Sequence, residues 1–300
     1  MSSIIRAARA RRATGLLLAL VFLLASVVPV HAETIHRTWT GGVGSSSANG
    51  SARLERYLEG SGYLRLNLKA LIANRDYNIE FRRGTCSALG TVLTTLFPFT
   101  SSATGTALVE RNVPEGKMNT VWGYTRTRAS LAMRITTSGS VKCSNLAYPR
   151  ATKIVITALG ISDAIIKPPS GYPPCNVAMY QPYLSQPSEP GVTMIYAHAR
   201  TATFLPLLRR SKINNGASMI GMAVKVYTSN SKLHTYRIDR VRRHIRSIQD
   251  AFNVTAERLW IYTSEGPNFT YPKLIVEAHR TSTVNTTYAA SHPVPRPIRC

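Results

Sequence analysis

Arg258-Leu-Trp-Ile-Tyr-Thr-Ser264, answered further on by Lys273-Leu-Ile-Val-Glu-Ala278, decides the reading of the C-terminal half of this chain. Each is a short apolar run too brief for a helix, and each reads as a buried strand. Working outward, Lys153-Ile-Val-Ile-Thr-Ala-Leu-Gly-Ile-Ser162 reads as a buried strand and a turn, and Ala164-Ile-Ile-Lys167 as a second strand. Pro168-Pro-Ser-Gly-Tyr-Pro-Pro174 is an irregular loop. Gly191-Val-Thr-Met-Ile-Tyr-Ala-His-Ala-Arg200 forms a strand that delivers His198 just past its apolar run. An apolar patch at Phe204, Leu205, Leu207 and Leu208 precedes Gly216, and Met222 to Thr228 with His234 to Ile238 reads as a hairpin. A short helix is expected near Ser247 to Phe252.

The N-terminal half carries a different signal. Leu64, Leu66 and Leu68 alternate with Arg65, Asn67 and Lys69, and Tyr77, Ile79 and Phe81 alternate with Asn78, Glu80 and Arg82. A period of two marks half-buried strands. Thr106 to Val113, Thr120 to Arg126, Leu131 to Ile135 and Ser140 to Cys143 read as further strands. About six or seven strands in roughly 110 residues imply an antiparallel β-sandwich, so the chain is expected to be all-β.

Arg6, Arg9, Arg11 and Arg12 precede an apolar run from Leu16 to Val30 that ends in Val30-His31-Ala32. This is the layout of a secretory signal peptide, and the run falls short of the about 20 residues a membrane anchor needs. The expected organisation is therefore a signal peptide over 1–32, a β-sandwich over 33–149 and a second β domain over 150–300, in a secreted or cell-surface protein. Four cysteines follow the signal: Cys86, Cys143, Cys175 and Cys300. With no C-x-x-C pair or histidine cluster, disulfides are expected and a metal site is not. If each domain closes separately, Cys86 pairs with Cys143 and Cys175 with Cys300, each bridge worth about 4 kcal/mol in the chain-entropy model. No cofactor is expected.

The formal net charge is +23, and +19 without the four arginines of the signal. Outside a cell, such an excess favours anionic wall polymers or membrane head groups as partners. No element suited to reading bases is evident, so specific nucleic-acid binding is not expected. Arg237 to Arg246 reads as a solvated face at a strand end.

The order of elements in the C-terminal half, and the residues at their ends, resemble the sortase family of surface transpeptidases. The resemblance rests on the Ile154 to Ser162 strand and turn, Ala197-His198-Ala199-Arg200 after a strand, the apolar patch before Gly216, the Tyr236-Arg-Ile238 strand, and Leu259-Trp-Ile-Tyr-Thr-Ser264. It implies a closed eight-stranded β-barrel over about 150–300 with its site at one edge. It implies His198 as the family's histidine, and places Ser264 where the family carries its nucleophilic cysteine. Thr263 keeps the family's hydroxyl and, with Arg200, is expected to bind substrate. Lys273 stands where the family holds the substrate carbonyl with arginine, keeping the charge without the fork of donors. Arg280 and Arg200 are the outside candidates for that role. Serine, unlike cysteine, needs a base within hydrogen-bond reach. Two functions follow: an acyl-transfer enzyme acting on a peptide or surface protein through Ser264 and His198, or a degenerate sortase-like barrel kept as a module that binds an anionic polymer.

Retention of the protein on anionic wall fragments or acidic vesicles is expected to fall steeply between low and physiological salt. Pull-down across a salt series checks this, and salt-insensitive retention would show that the basic residues are merely solvated.

Overall fold

The computed structural model describes residues 35–44, 49–126, 130–169, 173–266 and 271–300. The expected signal peptide, and residues 170–172 of the proline-rich loop, lie outside the described residues. No described helix is long and apolar enough to cross a membrane. Thr34–Cys300 forms one compact unit that contains a curled antiparallel sheet and a closed barrel.

The first body is built from β1 (Ile35–Gly42), β2 (Gly50–Tyr57), β3 (Gly62–Leu68), β4 (Asp76–Thr85), β5 (Ala88–Thr95), β6 (Phe99–Thr100), β7 (Ala107–Val113), β8 (Ser130–Thr137) and β9 (Ser140–Ala147). They pair antiparallel in the order β5-β4-β8-β9-β1-β2-β3-β7, with β6 on β4. The period-two pattern is the cause. Leu64, Leu66 and Leu68 are buried while Arg65 and Asn67 face out, and the sheet curls so that these meet Trp39, Tyr77, Phe81 and Met133 in one core.

One helix, α1 (Glu115–Thr125), lies on that core. It takes in the Thr120 to Arg126 run that the sequence suggested was a strand. Val121, Trp122 and Tyr124 favour strands, but Met118, Val121 and Thr125 are the buried positions, at helical spacing. Pro114 directly before the first turn suits a helix start, since its missing N–H needs no partner there. Gly62 permits the approach of this helix, because a Cβ at that position would lie 2.7 Å from Met118 Cγ and 2.4 Å from the Glu55 carbonyl oxygen. The Cys86–Cys143 disulfide, with Cα atoms 5.8 Å apart, ties the β4–β5 turn to β9.

The second body comprises β10 (Ala151–Ile156), β11 (Ile161–Ile166), β12 (Ala178–Tyr180), β13 (Val192–Tyr196), β14 (Ala223–Thr228), β15 (Lys232–Ile245), β16 (Arg258–Ser264) and β17 (Lys273–Asn285). These close into an eight-stranded barrel in the order β10-β11-β12-β13-β16-β17-β15-β14. The β11–β12 and β13–β16 pairs are parallel and the others antiparallel. β16 lacks alternation because both of its faces are covered. Leu259 and Ile261 join the barrel core with Ile154, Val226 and Val276. Trp260 joins a second cluster with Met194, Ala251 and Ile275 on the outer face. Helix α2 (Leu205–Ser211) plugs the barrel with Leu207 and Leu208. The last strand outruns its apolar segment, extending past Ala278 because β15 supplies a partner as far as Asn285. The Arg237 to Arg246 stretch, expected as a solvated face, is partly engaged instead: Arg242 pairs with Asp250 at 2.7 Å and Arg243 with Glu265 at 2.8 Å.

The barrel and the curled sheet meet around one buried ion pair. Arg37, on β1, is 1% exposed and grips Glu189 through two bonds of 2.8 Å while donating to the Leu184 carbonyl at 3.1 Å. The rings of Trp122 and Tyr148 lie 4.7 and 4.2 Å from its guanidinium carbon. Next to it, burial and then the Arg37 and Arg56 charges hold His36 down at about 4. Burial, with Arg280 and Lys232, does the same to His234.

Arg37→Ala or Glu189→Ala is expected to cost about 3–5 kcal/mol, because each strands a buried charge. Denaturant unfolding measures it, and a loss below 1 kcal/mol would refute the assignment. A folded-state value below the unfolded 6.5 means that the unfolded chain binds the extra proton. Stability therefore falls as pH drops from about 6.5 to about 4, by on the order of 3 kcal/mol per histidine. His36→Gln or His234→Gln should each flatten that slope.

Candidate active site

At the far end of β16, the antiparallel register sets Ser264 directly opposite Lys273 on β17. Opposed residues share a face. Leu259 and Ile261 point into the barrel, so Tyr262 and Ser264, out of phase with them, take the outer face. There Lys273 Nζ donates to Ser264 Oγ at 2.7 Å. Lys273 is 8% exposed, with the rings of Tyr262 and Tyr271 at 5.7 and 5.4 Å from Nζ. Burial lowers the Lys273 ammonium below its ordinary 10.5.

His198 stands just beyond β13, which runs parallel to β16 with Tyr196 beside Tyr262. It is 6% exposed. Its Nε2 lies 3.0 Å from the Pro173 carbonyl oxygen. Its own carbonyl accepts from Thr203 Oγ1 at 2.5 Å and from the Phe204 N–H at 3.1 Å, which fixes the turn into α2. Burial lowers the imidazole, the Pro173 contact opposes this, and the Arg200 and Lys273 charges add to the lowering. Lys273 and His198 thus belong to one electrostatic neighbourhood, in which each is biased towards its neutral form.

The remaining expected residues fall in different places. Thr263 points inward, is 1% exposed and donates to the Ala197 carbonyl at 2.8 Å, so it ties β16 to the residue before His198. Arg200 is exposed in the turn after His198, and its charge reaches the imidazole. Arg280 lies farther along β17, paired with Glu257 at 3.0 Å, outside this neighbourhood. Cys175 and Cys300 form the second disulfide, with Cα atoms 5.3 Å apart. Their sulfurs lie beside His198, and this is the cluster of potential metal ligands found among the described residues.

Sequence reasoning missed the tyrosines around Lys273. Tyr262 was within reach, being two residues before Ser264 on the same face of a strand. Tyr196 was not, since it arrives through the parallel pairing of β13 with β16. The arrangement offers a hydroxyl hydrogen-bonded to a desolvated amine, which is the element of serine activation by lysine.

No protein-family model matches the chain, and no curated protein does. Among solved structures it is similar to sortase C1 from Streptococcus suis, at 15% identity over 48% of this chain and 77% of that one, with a TM-score of 0.37. Sortase A from Listeria monocytogenes matches at 12% identity over 45% and 89%, with a TM-score of 0.35. Sortase C2 from group B Streptococcus pilus island 1 matches at 13% over 43% and 73%, with a TM-score of 0.34.

The Lys273 amine is expected to deprotonate below 10.5. Titration of its ε-carbon by NMR, assigned with Lys273→Arg, checks this, and a midpoint at or above that value would remove the desolvated amine from the site.

Proposed function

We propose that the protein is an exported, sortase-like acyl-transfer enzyme in which Ser264 is the nucleophile and Lys273 its base. The observation that carries this reading is the 2.7 Å contact between Lys273 Nζ and Ser264 Oγ. In its neutral form the amine accepts the hydroxyl proton as Oγ attacks the carbonyl carbon of a peptide or amide. The C–N bond then breaks and the proton passes to the leaving amine. Water or a second amine attacks the acyl-serine and gives up a proton to Lys273, which passes it to Ser264 Oγ as the acyl–oxygen bond breaks and the acyl group leaves as acid or as a new amide.

In this scheme Lys273 is the general base, a role that the family resemblance did not give it. His198 and Arg200 stand in the same neighbourhood, where the exposed Arg200 guanidinium suits the substrate carbonyl and its developing oxyanion. Thr263 acts through position, holding the turn that carries His198. The substrate class is a peptide or surface protein. The excess positive charge, together with the N-terminal sheet, suits attachment to an anionic wall polymer or membrane surface.

A fluorophosphonate probe is expected to label Ser264, with labelling that rises with pH as Lys273 loses its proton and disappears in Lys273→Met. His198→Gln should slow labelling without abolishing it, and thiol-blocking reagents should have no effect. Ser264→Cys should retain acyl transfer beside the same bases. Absence of labelling in the parent, with no transfer by Ser264→Cys, would overturn the enzyme and leave the polymer-binding module.

A further inference from the structure

Among the described residues, the Cys175–Cys300 disulfide occupies the one place where cysteine and histidine side chains converge. The two sulfurs and an imidazole nitrogen of His198 lie within 4.8 Å of one another. Joined as a disulfide, the sulfurs cannot take a cation, because the thiolate is the ligand. We propose that exchange with a dithiol reductant converts this cluster into a site for one soft divalent cation of the zinc type, held by the Cys175 and Cys300 thiolates and the His198 imidazole.

The chemistry balances without another reagent. Cys300 is exposed and Cys175 buried, so a thiolate of the reductant attacks the Cys300 sulfur and Cys175 leaves as a thiolate. The reductant's second thiolate then displaces Cys300 and departs as an oxidised disulfide, leaving two protein thiols. Cation binding releases their two protons.

Three features suit the cluster to this role. The first is that the tail does not depend on the disulfide for its place. The Cys175 N–H donates to the Ile298 carbonyl at 3.1 Å. Asn176 donates to the Arg296 carbonyl at 2.6 Å and accepts from the Ile298 N–H at 2.9 Å. Cys300 therefore stays near Cys175 when the bond is cut. The second is that His198 is held on both sides, by its backbone contacts to Thr203 and Phe204 and by Pro173. A backbone carbonyl against a ring nitrogen is the kind of contact that orients metal-binding histidines. The third is ligand type: two thiolates and an imidazole select soft or borderline cations over magnesium or calcium. Zinc–sulfur distances near 2.3 Å separate two thiolates farther than a bond does, so the exposed Cys300 must move outward while Cys175 stays. This site stands whether or not Ser264 is reactive.

The test is titration of the full chain with cobalt(II) or cadmium(II), after reduction and removal of the reductant. One equivalent is expected to bind, with thiolate-to-metal charge-transfer absorption, and none to the oxidised protein. Cys300→Ser should abolish the band, His198→Ala should weaken binding by at least about tenfold, and Ser264→Ala should change nothing. Binding by the reduced parent no stronger than by Cys175→Ser/Cys300→Ser would overturn the site. So would His198→Ala binding as tightly as the parent, or loss of the native circular dichroism spectrum on reduction alone.

Discussion

The pairing of β16 with β17 is the constraint on which the proposed site depends. Leu259 sits opposite Ala278, Ile261 opposite Val276, and Ser264 opposite Lys273. A slip of one residue would turn every side chain of β17 to the other face. Lys273 would then enter the barrel core, while Leu274 and Val276 would leave it. Burying an unpaired ammonium there costs several kcal/mol, and the lost apolar burial adds to that. Because the two strands are covered on both sides, by the barrel core and by the cluster around Trp260, the register is specified twice. The contact between Ser264 and Lys273 is thus a consequence of hydrophobic packing several residues away.

The junction between sheet and barrel rests on different physics. Arg37 and Glu189 are separated by 152 positions, so their pairing ties the sheet to the barrel. Desolvation makes such a pair weak evidence for net stability, since apolar residues of similar volume often do as well. Its geometry speaks for specificity. Glu189 also accepts from the Gln186 N–H at 2.7 Å, and Arg37 also donates to a backbone carbonyl, so few other arrangements could satisfy both charges. Two aromatic rings beside the guanidinium cover it without competing for its donors.

Much of this architecture was legible in the sequence because two periodicities carried it. Alternation in Leu64–Leu68 and Tyr77–Phe81 marked strands with one wet face, and continuous apolar runs such as Leu259–Ile261 marked strands covered twice. The Cys86–Cys143 and Cys175–Cys300 pairings followed from expecting one bridge for each half. What failed was local. Val121, Trp122 and Tyr124 favour strands, and only packing against Gly62 and the sheet core makes their segment a helix. The ion pairs of Arg242 and Arg243 were invisible because Asp250 and Glu265 arrive from other elements. At the candidate site, the residue types were readable but the partnership was not. Lys273 looked like a substitute for an oxyanion-binding arginine, and only strand register reveals that its amine meets the Ser264 hydroxyl.

That partnership bears on how Ser264 would serve as the nucleophile in the proposed scheme. A thiol can reach its anionic form near neutral pH with modest help, whereas a hydroxyl must lose its proton to a base during attack. A base serves only if it is neutral, and lysine at its ordinary value is not. Desolvation by the strand end and the tyrosine rings moves Lys273 in the required direction. His198 is lowered by burial first and then by the Arg200 and Lys273 charges. In the proposed scheme both groups are thus biased towards their neutral forms, Lys273 by burial and His198 by burial and neighbouring charge.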